Sequence, residues 1–568
     1  MKKVLYFMAG LLFAVSLCAQ APNLCPSKAF FQTFGTDSTL EVGITLCPSA
    51  DSNLYASGVQ GNRTLLMKLG PTGNVIWSRA FTLASQKPCL INEMIVDSEG
   101  MLVAAGLETD TDLQQLNPSS LVFRYDPTAD SILWIKRFSG DSIPTNGIIE
   151  KRAGGNFVFY QNSLSAASFV ARAELLELDR RTGNIVPGVA QRFSINNVTE
   201  VTRIISHKGS LYGIGTAQLL PYAVLRLRTV LMRLDTTTGQ FIWSKFSSVS
   251  GFSATNTIGL DILVDNDTLV SLSTAANLVN GTQLGPGQIY LQKNTLNGNL
   301  VWIKKYDFPT FAGEIGVEVV KIGNNYAIYG IGTTNGRSAQ LLLLVDHNGN
   351  VMKVKQVTDI NQSTVLPLSK GEAVVLDKYL VFAGTIGEIT NTDWSILKTD
   401  SILSLKGDCS HLQTRDSVAA LSVTSPLNYN ATVRSFPSTT TAVSVALPFI
   451  ESAILENHLL CSGCPSGNPG LDGESVEERG QPWDAPSLRL YPNPTTGRLL
   501  FDLTAWKEQV VQVQVLNARG QLVQTMTTTA AAGLQSIQLG TQLPNGLYQL
   551  VIRPNQGVPV SRPFVLER

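Results

Sequence analysis

Apolar and polar positions alternate in short stretches along most of the chain, and the stretches recur. Gly73-Asn74-Val75-Ile76-Trp77-Ser78-Arg79-Ala80-Phe81 returns as Ser131-Ile132-Leu133-Trp134-Ile135-Lys136-Arg137-Phe138. It returns again as Gly239-Gln240-Phe241-Ile242-Trp243-Ser244-Lys245-Phe246 and as Gly298-Asn299-Leu300-Val301-Trp302-Ile303-Lys304-Lys305-Tyr306. Each copy passes through an apolar pair to a Trp, a basic residue two places on, and then an aromatic. Alternate side chains of a strand share a face, which places Trp77, Arg79 and Phe81 together. There the indole can pack, while the alkyl stem of the basic residue covers apolar surface and its charge reaches water.

The Trp strands belong to a longer unit that fills residues 28–408. Each unit has an apolar strand such as Leu102-Val103-Ala104-Ala105-Gly106, a variable loop, a second apolar strand such as Leu231-Met232-Arg233-Leu234-Asp235, a Gly turn and the Trp strand. Trp77 and Trp134 are 57 residues apart, Trp243 and Trp302 are 59 apart, and the 109 residues from Trp134 to Trp243 hold one more unit. In that third unit Val186-Pro187-Gly188 stands in place of the Trp strand, and the sixth and seventh units also lack the Trp. Four short strands in a period of about 50–60 residues predict the blades of a β-propeller. Stacking blades in a ring buries both faces of each sheet, and closure protects the edges. The fold class expected is all-β, a seven-bladed β-propeller followed by a small C-terminal Ig-like β-sandwich. Two separate sandwiches are the alternative for 28–408. Ala29-Phe30-Phe31-Gln32-Thr33-Phe34-Gly35 reads as a Trp-type strand without its unit, placed to complete the last blade.

Residues 409–465 are a β-rich extension of Thr, Ser and Val runs, expected either to lengthen the last blade or to form a small module. Residues 466–486 carry Gly, Pro and acidic residues without a hydrophobic period, the pattern of a linker. From 487 to 568 the period-2 pattern resumes, cleanly in Val511-Gln512-Val513-Gln514-Val515, with turns at regular intervals.

In this last segment Leu490-Tyr491-Pro492-Asn493-Pro494-Thr495-Thr496-Gly497, then Gly520-Gln521-Leu522-Val523, then Leu543-Pro544-Asn545-Gly546-Leu547-Tyr548-Gln549-Leu550 occur in order. Together with Phe564-Val565-Leu566-Glu567-Arg568, they resemble the type A C-terminal sorting domain of the type IX secretion system. The sorting residues carried over are Tyr491, Pro492, Asn493, Pro494, Gly497, Gly520, Asn545, Gly546 and Tyr548. The resemblance implies a Bacteroidota-type cell and Sec export to the periplasm. Passage through the outer membrane by the type IX machinery would then leave the chain secreted or held at the cell surface. More loosely, the repeats resemble propellers carried by such cargo, which implies fold and no activity.

The first 19 residues fit that route. Lys2 and Lys3 precede an apolar core from Val4 to Leu17, with a small residue at Ala19 before the expected cut. The core is too short for the roughly 20 residues of a span; Cys18 leaves a lipoprotein signal as the alternative. No other stretch is apolar and long enough to cross a bilayer as a helix. The balance of 43 Lys+Arg against 43 Asp+Glu argues against a nucleic-acid footprint.

Candidate chemistry is sparse. Cys461-Ser462-Gly463-Cys464 is expected to be a disulfide, since a zinc site would need a second pair and a redox motif a thioredoxin-like context. His207, His347, His411 and His458 are scattered, and no metalloprotease, phosphate-loop or nucleophile-elbow motif is present. Glu108-Thr109-Asp110-Thr111-Asp112 and Asp265-Asn266-Asp267 are acidic loops without the full calcium pattern. No catalytic, cofactor-binding or metal residue is therefore assigned. The function expected is non-catalytic binding of a protein or glycan. The alternative is a glycan-active hydrolase or lyase using loop carboxylates on one propeller face.

Limited proteolysis of the secreted protein is expected to cut first within 466–486, where nothing can bury an apolar face. Fragment masses that place the first cuts inside 100–400 would break this division of the chain.

Overall fold

The structure is a computed structural model, and all secondary structure described in it is β. It describes most of residues 29–462 and of 490–568; residues 1–28 and 463–489, and short stretches between strands, lie outside that description. The signal segment 1–19, the linker 466–486 and the acidic residues 109–112 fall among the latter. The chain divides into two compact units, Met1–Gly467 and Asn468–Arg568.

In the first unit the described strands form seven five-stranded antiparallel sheets. We number them 1–7 in chain order. Sheet 1 contains Glu41–Pro48, Leu54–Gln60, Arg63–Leu69 and Val75–Phe81, and sheets 2–6 repeat this order with the four strands of each following unit. The first strands touch one another in sequence from sheet 1 to sheet 7, and that of sheet 7 touches that of sheet 1. The arrangement is therefore a closed, propeller-like ring rather than two sandwiches. Sheet 7 takes its first three strands from Ala373–Leu376, Tyr379–Glu388 and Asn391–Thr399, and its fourth is Phe30–Gly35. The orphan strand near the start of the chain thus completes the last sheet.

Where it occurs, the repeated Trp motif joins one sheet to the next. Trp134, in sheet 2, donates its indole N–H to the carbonyl of Arg180 at 3.0 Å, and Trp243 in sheet 4 donates to Leu296 at 3.2 Å. Both acceptors lie in the Gly turn of the following sheet. The basic residue two places on reaches the same turn: Lys136 Nζ donates to Asn184 Oδ1 and Lys245 Nζ to Asn299 Oδ1, each at 2.7 Å. Arg79 pairs with Asp130 at 2.7 Å. The charge that was expected to reach water therefore meets the next repeat instead.

In two of the three sheets without the Trp, sheets 7 and 3, another residue takes part of its place. Phe30 sits opposite Lys398 in the register that puts Trp77 opposite Lys68 and Trp243 opposite Arg233. In sheet 3 the fourth strand is Gln191–Ser194, not the Val186-Pro187-Gly188 stretch, and Gln191 donates to the carbonyl of Thr238 at 2.9 Å.

Residues 409–462 lengthen the last sheet, as one of the two expectations had it, but also every other sheet. Leu412–Thr414 pairs with the fourth strand of sheet 6, Ala419–Ser422 with that of sheet 5, and Leu427–Asn430 with that of sheet 4. Arg434–Pro437, Ala442–Ser444, Ile450–Ser452 and Glu456–Ser462 continue through sheets 3, 2, 1 and 7. The segment is a belt that adds a fifth strand to every sheet, in reverse order. Twist of roughly 20–25° per strand turns the outer strands of a five-stranded sheet well away from the inner ones. An antiparallel partner of successive fourth strands must then run backwards round the rim. The spacing of about seven residues between belt strands carries no apolar repeat of its own, which is why the sequence hid it.

The second unit has a three-stranded sheet of Leu490–Tyr491, Arg498–Asp502 and Leu534–Gln538. Its four-stranded sheet is Leu522–Thr529, Val510–Asn517, Gly546–Pro554 and Val560–Leu566. Both contribute to one apolar core that includes Leu499, Phe501, Val511, Val513, Val515 and Ile537.

The packing of the turns on the Trp ring yields a paired test. Gly183 and Gly188 both have positive φ, +69° and +85°, but a Cβ on Gly183 would lie 2.5 Å from the Trp134 ring, whereas nothing lies within 4 Å at Gly188. Both Ala substitutions incur the strain of that backbone region. We expect Gly183→Ala to cost about 1–3 kcal/mol more than Gly188→Ala in denaturant unfolding, through overpacking. Equal costs would mean that the ring contact contributes nothing.

Candidate functional site

The first strands of all sheets but sheet 3 line a central cavity of about 480 Å³. In five of them the register slips just before one residue: Thr45, Glu93, Arg203, Asp261 and Glu318. A β-bulge re-aims the side chain that follows it, and these five residues all line the cavity. Gly147 and Glu372 hold the corresponding places in sheets 3 and 7, opposite Tyr160 and Ala383. Gly147 has no room for a side chain, because the Glu93 carboxylate and the Tyr160 hydroxyl occupy the space where a Cβ would stand.

The carboxylates do a common job. A first strand is a sheet edge, so its outward N–H groups have no ladder partner. Glu93 Oε2 accepts from the backbone N–H of Ile148 at 3.1 Å, Asp261 Oδ2 from that of Val319 at 2.8 Å, and Glu318 Oε2 from that of Ala373 at 2.8 Å. Each acceptor thus caps the first strand of the next sheet, always at the residue following the ring position. Arg203 stands between two of them, 2.9 Å from Glu93 and 3.8 Å from Asp261. Burial pushes the Glu93 carboxyl up, against the pull of Arg203 and hydrogen bonds from Tyr160 and Ile148. Burial also works against the Arg203 charge, but Glu93 and Asp261 outweigh it and raise its pKa.

At the edge of the same cavity Lys321 pairs with Asp265, which also accepts from Lys293 at 3.2 Å and from the Tyr326 hydroxyl. Burial opposes the Asp265 charge, yet the hydrogen bonds from Lys321, Tyr326 and Lys293 prevail and hold its pKa at about 2. Asp267 pairs with Lys208 at 2.8 Å. The Asp265-Asn266-Asp267 turn therefore spends its carboxylates on lysines. Among the described residues no group of three or more His, Cys, Asp or Glu is placed to hold a metal ion.

None of the ring residues stood out singly in the sequence, but the five charged ones share a signal. Each is one charged residue followed by apolar ones: Glu93-Met94-Ile95, Arg203-Ile204-Ile205, Asp261-Ile262-Leu263, Glu318-Val319-Val320 and Glu372-Ala373-Val374. They recur in five of the seven units, ahead of the Gly-ended strand; Thr45 and Gly147 stand in the other two.

The cysteines correct one expectation. Cys461 is bonded to Cys409, with Cα atoms 5.6 Å apart, and not to Cys464, which lies outside the described residues. The belt brings its own two ends together at sheet 7, a proximity that spacing in sequence could not reveal. Cys47 and Cys89 are free and buried in one apolar cluster; burial pushes the Cys47 thiol up to about 12 and Cys89 higher still, so neither is a nucleophile.

In the second unit, Pro492, Asn493, Pro494 and Gly520 of the sorting motif lie outside the described residues. Tyr491 pairs with Leu500 at the sheet edge. Gly497 has φ +139°, and its carbonyl accepts from the N–H of Leu539 at 2.7 Å. Tyr548 is buried, stacks on Phe564 with centroids 5.7 Å apart, and donates its hydroxyl to the carbonyl of Pro544 at 2.7 Å. Gly546 begins the Tyr548 strand, and Asn545 exchanges hydrogen bonds with the Arg568 backbone at 3.1 and 3.3 Å. Arg568 in turn donates to the carbonyls of Leu539, Gly540 and Thr541. Among the described motif residues, Gly497, Asn545 and Tyr548 tie the core to its last strand and the residues after it.

Asp265→Asn is expected to lower neutral-pH stability by about 1–3 kcal/mol. A depressed pKa means that the contribution of Asp265 is complete above pH 4 and is lost as pH falls towards about 2. The difference in melting temperature between parent and variant should accordingly shrink from pH 5 to pH 2; a difference that stays constant would refute the assignment.

No curated protein matches the chain. Among solved structures, the Penicillium chrysogenum α-L-arabinanase complexed with arabinobiose is 10% identical at a TM-score of 0.36, covering 55% of this chain and 93% of that one. Drosophila Semaphorin 2a is 11% identical at 0.35, covering 66% and 76%. PorZ, a surface component of the type IX secretion system of Porphyromonas gingivalis, is 10% identical at 0.16, covering 94% and 100%. Residues 489–566 match the family model of the secretion system C-terminal sorting domain. That domain addresses the chain to the type IX secretion system, for export to the cell surface or beyond it.

Proposed function

We propose that the ring is a seven-bladed β-propeller that binds a protein or glycan outside the cell without catalysis. It is carried there by residues 487–568, an Ig-like sandwich. The boundaries proposed with it are 28–408 for the blades, 409–465 for the β-rich extension and 466–486 for the linker. The observation that carries the reading is the commitment of the cavity carboxylates. Glu93, Asp261 and Glu318 each hold a backbone N–H of the next sheet, and Arg203 neutralises two of them. Glycoside hydrolysis needs two carboxyl groups about 5–10 Å apart, free to act as acid and as nucleophile or base. Giving Glu93 or Asp261 that freedom would unpair a buried N–H and a buried guanidinium, at a cost of a few kcal/mol.

The test is incubation of the purified chain with insoluble and soluble surface polysaccharides. Sedimentation with one of them, without release of reducing ends or unsaturated products, is the expected result. Release of either, abolished by Glu93→Gln or Asp261→Asn, would replace this reading with the hydrolase or lyase alternative.

A further inference from the structure

We infer that residues 409–461 work as a covalently closed hoop that locks the ring against opening. The belt begins on sheet 6, passes sheets 5, 4, 3, 2 and 1, and ends on sheet 7, which adjoins sheet 6. Cys409 lies just before its first strand and Cys461 within its last, and they are bonded to each other. The path from one sulfur to the other therefore goes once round the rim and closes on itself.

An open belt would be a poor fastener. Its first six strands have only three or four residues each, so each holds its sheet by few backbone pairs. An end that frays exposes the next strand to the same loss, and the belt would peel sheet by sheet. A closed hoop offers no end from which to start.

The bond also lies at the weakest point of the ring. Sheet 7 is assembled from three segments remote in sequence, and Phe30–Gly35 sits between Asn391–Thr399 and Glu456–Ser462. Phe31 is directly opposite Cys461, and both belong to the apolar cluster that also packs Cys409, Leu342 and Phe382. Loss of the belt strand would leave the closing strand held along one edge only. With Cys461 tied to Cys409, that outer flank cannot leave without the whole belt.

The hoop can be opened in two chemically different ways, and the comparison decides the matter. One variant is Cys409→Ser/Cys461→Ser, both replaced so that neither thiol is left to pair elsewhere. The other is the full chain with a site-specific protease sequence inserted after Leu447, an exposed residue between belt strands. It is cut after folding, with the Cys409–Cys461 bond intact, and its uncut form controls for the insertion. Unfolding rates in denaturant, followed by Trp fluorescence, are expected to rise by roughly tenfold or more in both open forms, because a fastener that must give way before the ring opens acts on the unfolding rate. The two increases should agree within about threefold. If the cut chain unfolds at the uncut rate while the Cys variant is fast, the bond is a local staple and the inference fails. It fails equally if neither opening changes the rate. Should the Cys variant not fold, the cut chain still gives the answer, because it is cut after folding.

Discussion

Everything in the ring depends on the grip of one sheet's fourth strand on the next sheet's turn. A Trp ring lies on a turn glycine, its N–H on a turn carbonyl, and a Lys or Arg on the turn's Asn or Asp. An aromatic contact and two hydrogen bonds are each worth about 1 kcal/mol net. Repeated round a closed ring, they fix the angle between neighbouring sheets as well as their attachment. The glycine is required twice over, for its positive φ and because only a missing side chain lets the indole so close. Two of the repeats that lost the Trp keep part of the grip, through Phe30 and Gln32 on the Gly73 turn and Gln191 on the Gly239 turn.

Closing a ring of sheets leaves two sets of strand edges, and the chain deals with them differently. At the centre, acidic side chains re-aimed by bulges cap the N–H groups of the neighbouring sheet. A charged acceptor suits this because it makes a stronger bond to an amide than a neutral one does. Its burial costs solvation, which Arg203 offsets for Glu93 and Asp261. Carboxylates stand in an otherwise largely apolar cavity by structural necessity, and whatever it receives meets Glu93, Asp261 and Glu318 already engaged by backbone N–H groups. At the rim, the exposed edge of each fourth strand would invite pairing with another chain. The belt covers those edges with strands mostly too short to propagate pairing.

Much of this was legible in the amino-acid sequence, and the limits are physical. Period-2 alternation, Gly turns and the recurring Trp strand determined an all-β chain of seven units, because they are local consequences of strand and turn geometry. Ordered motifs in the last 80 or so residues determined the export route, since a sorting address must be readable apart from its cargo. What tertiary structure alone decided involves residues brought together from far along the chain. The basic residue of the motif looked solvent-bound until the next sheet's turn was placed beside it. The Glu93–Arg203–Asp261 cluster required the ring to close, and the partner of Cys461 required the belt to travel all the way round. Local pattern reports which face of a strand is buried; it carries no information on which distant edge that strand will meet. The belt's short runs were visible as strands, but only the exposed edges of seven finished sheets gave them their places.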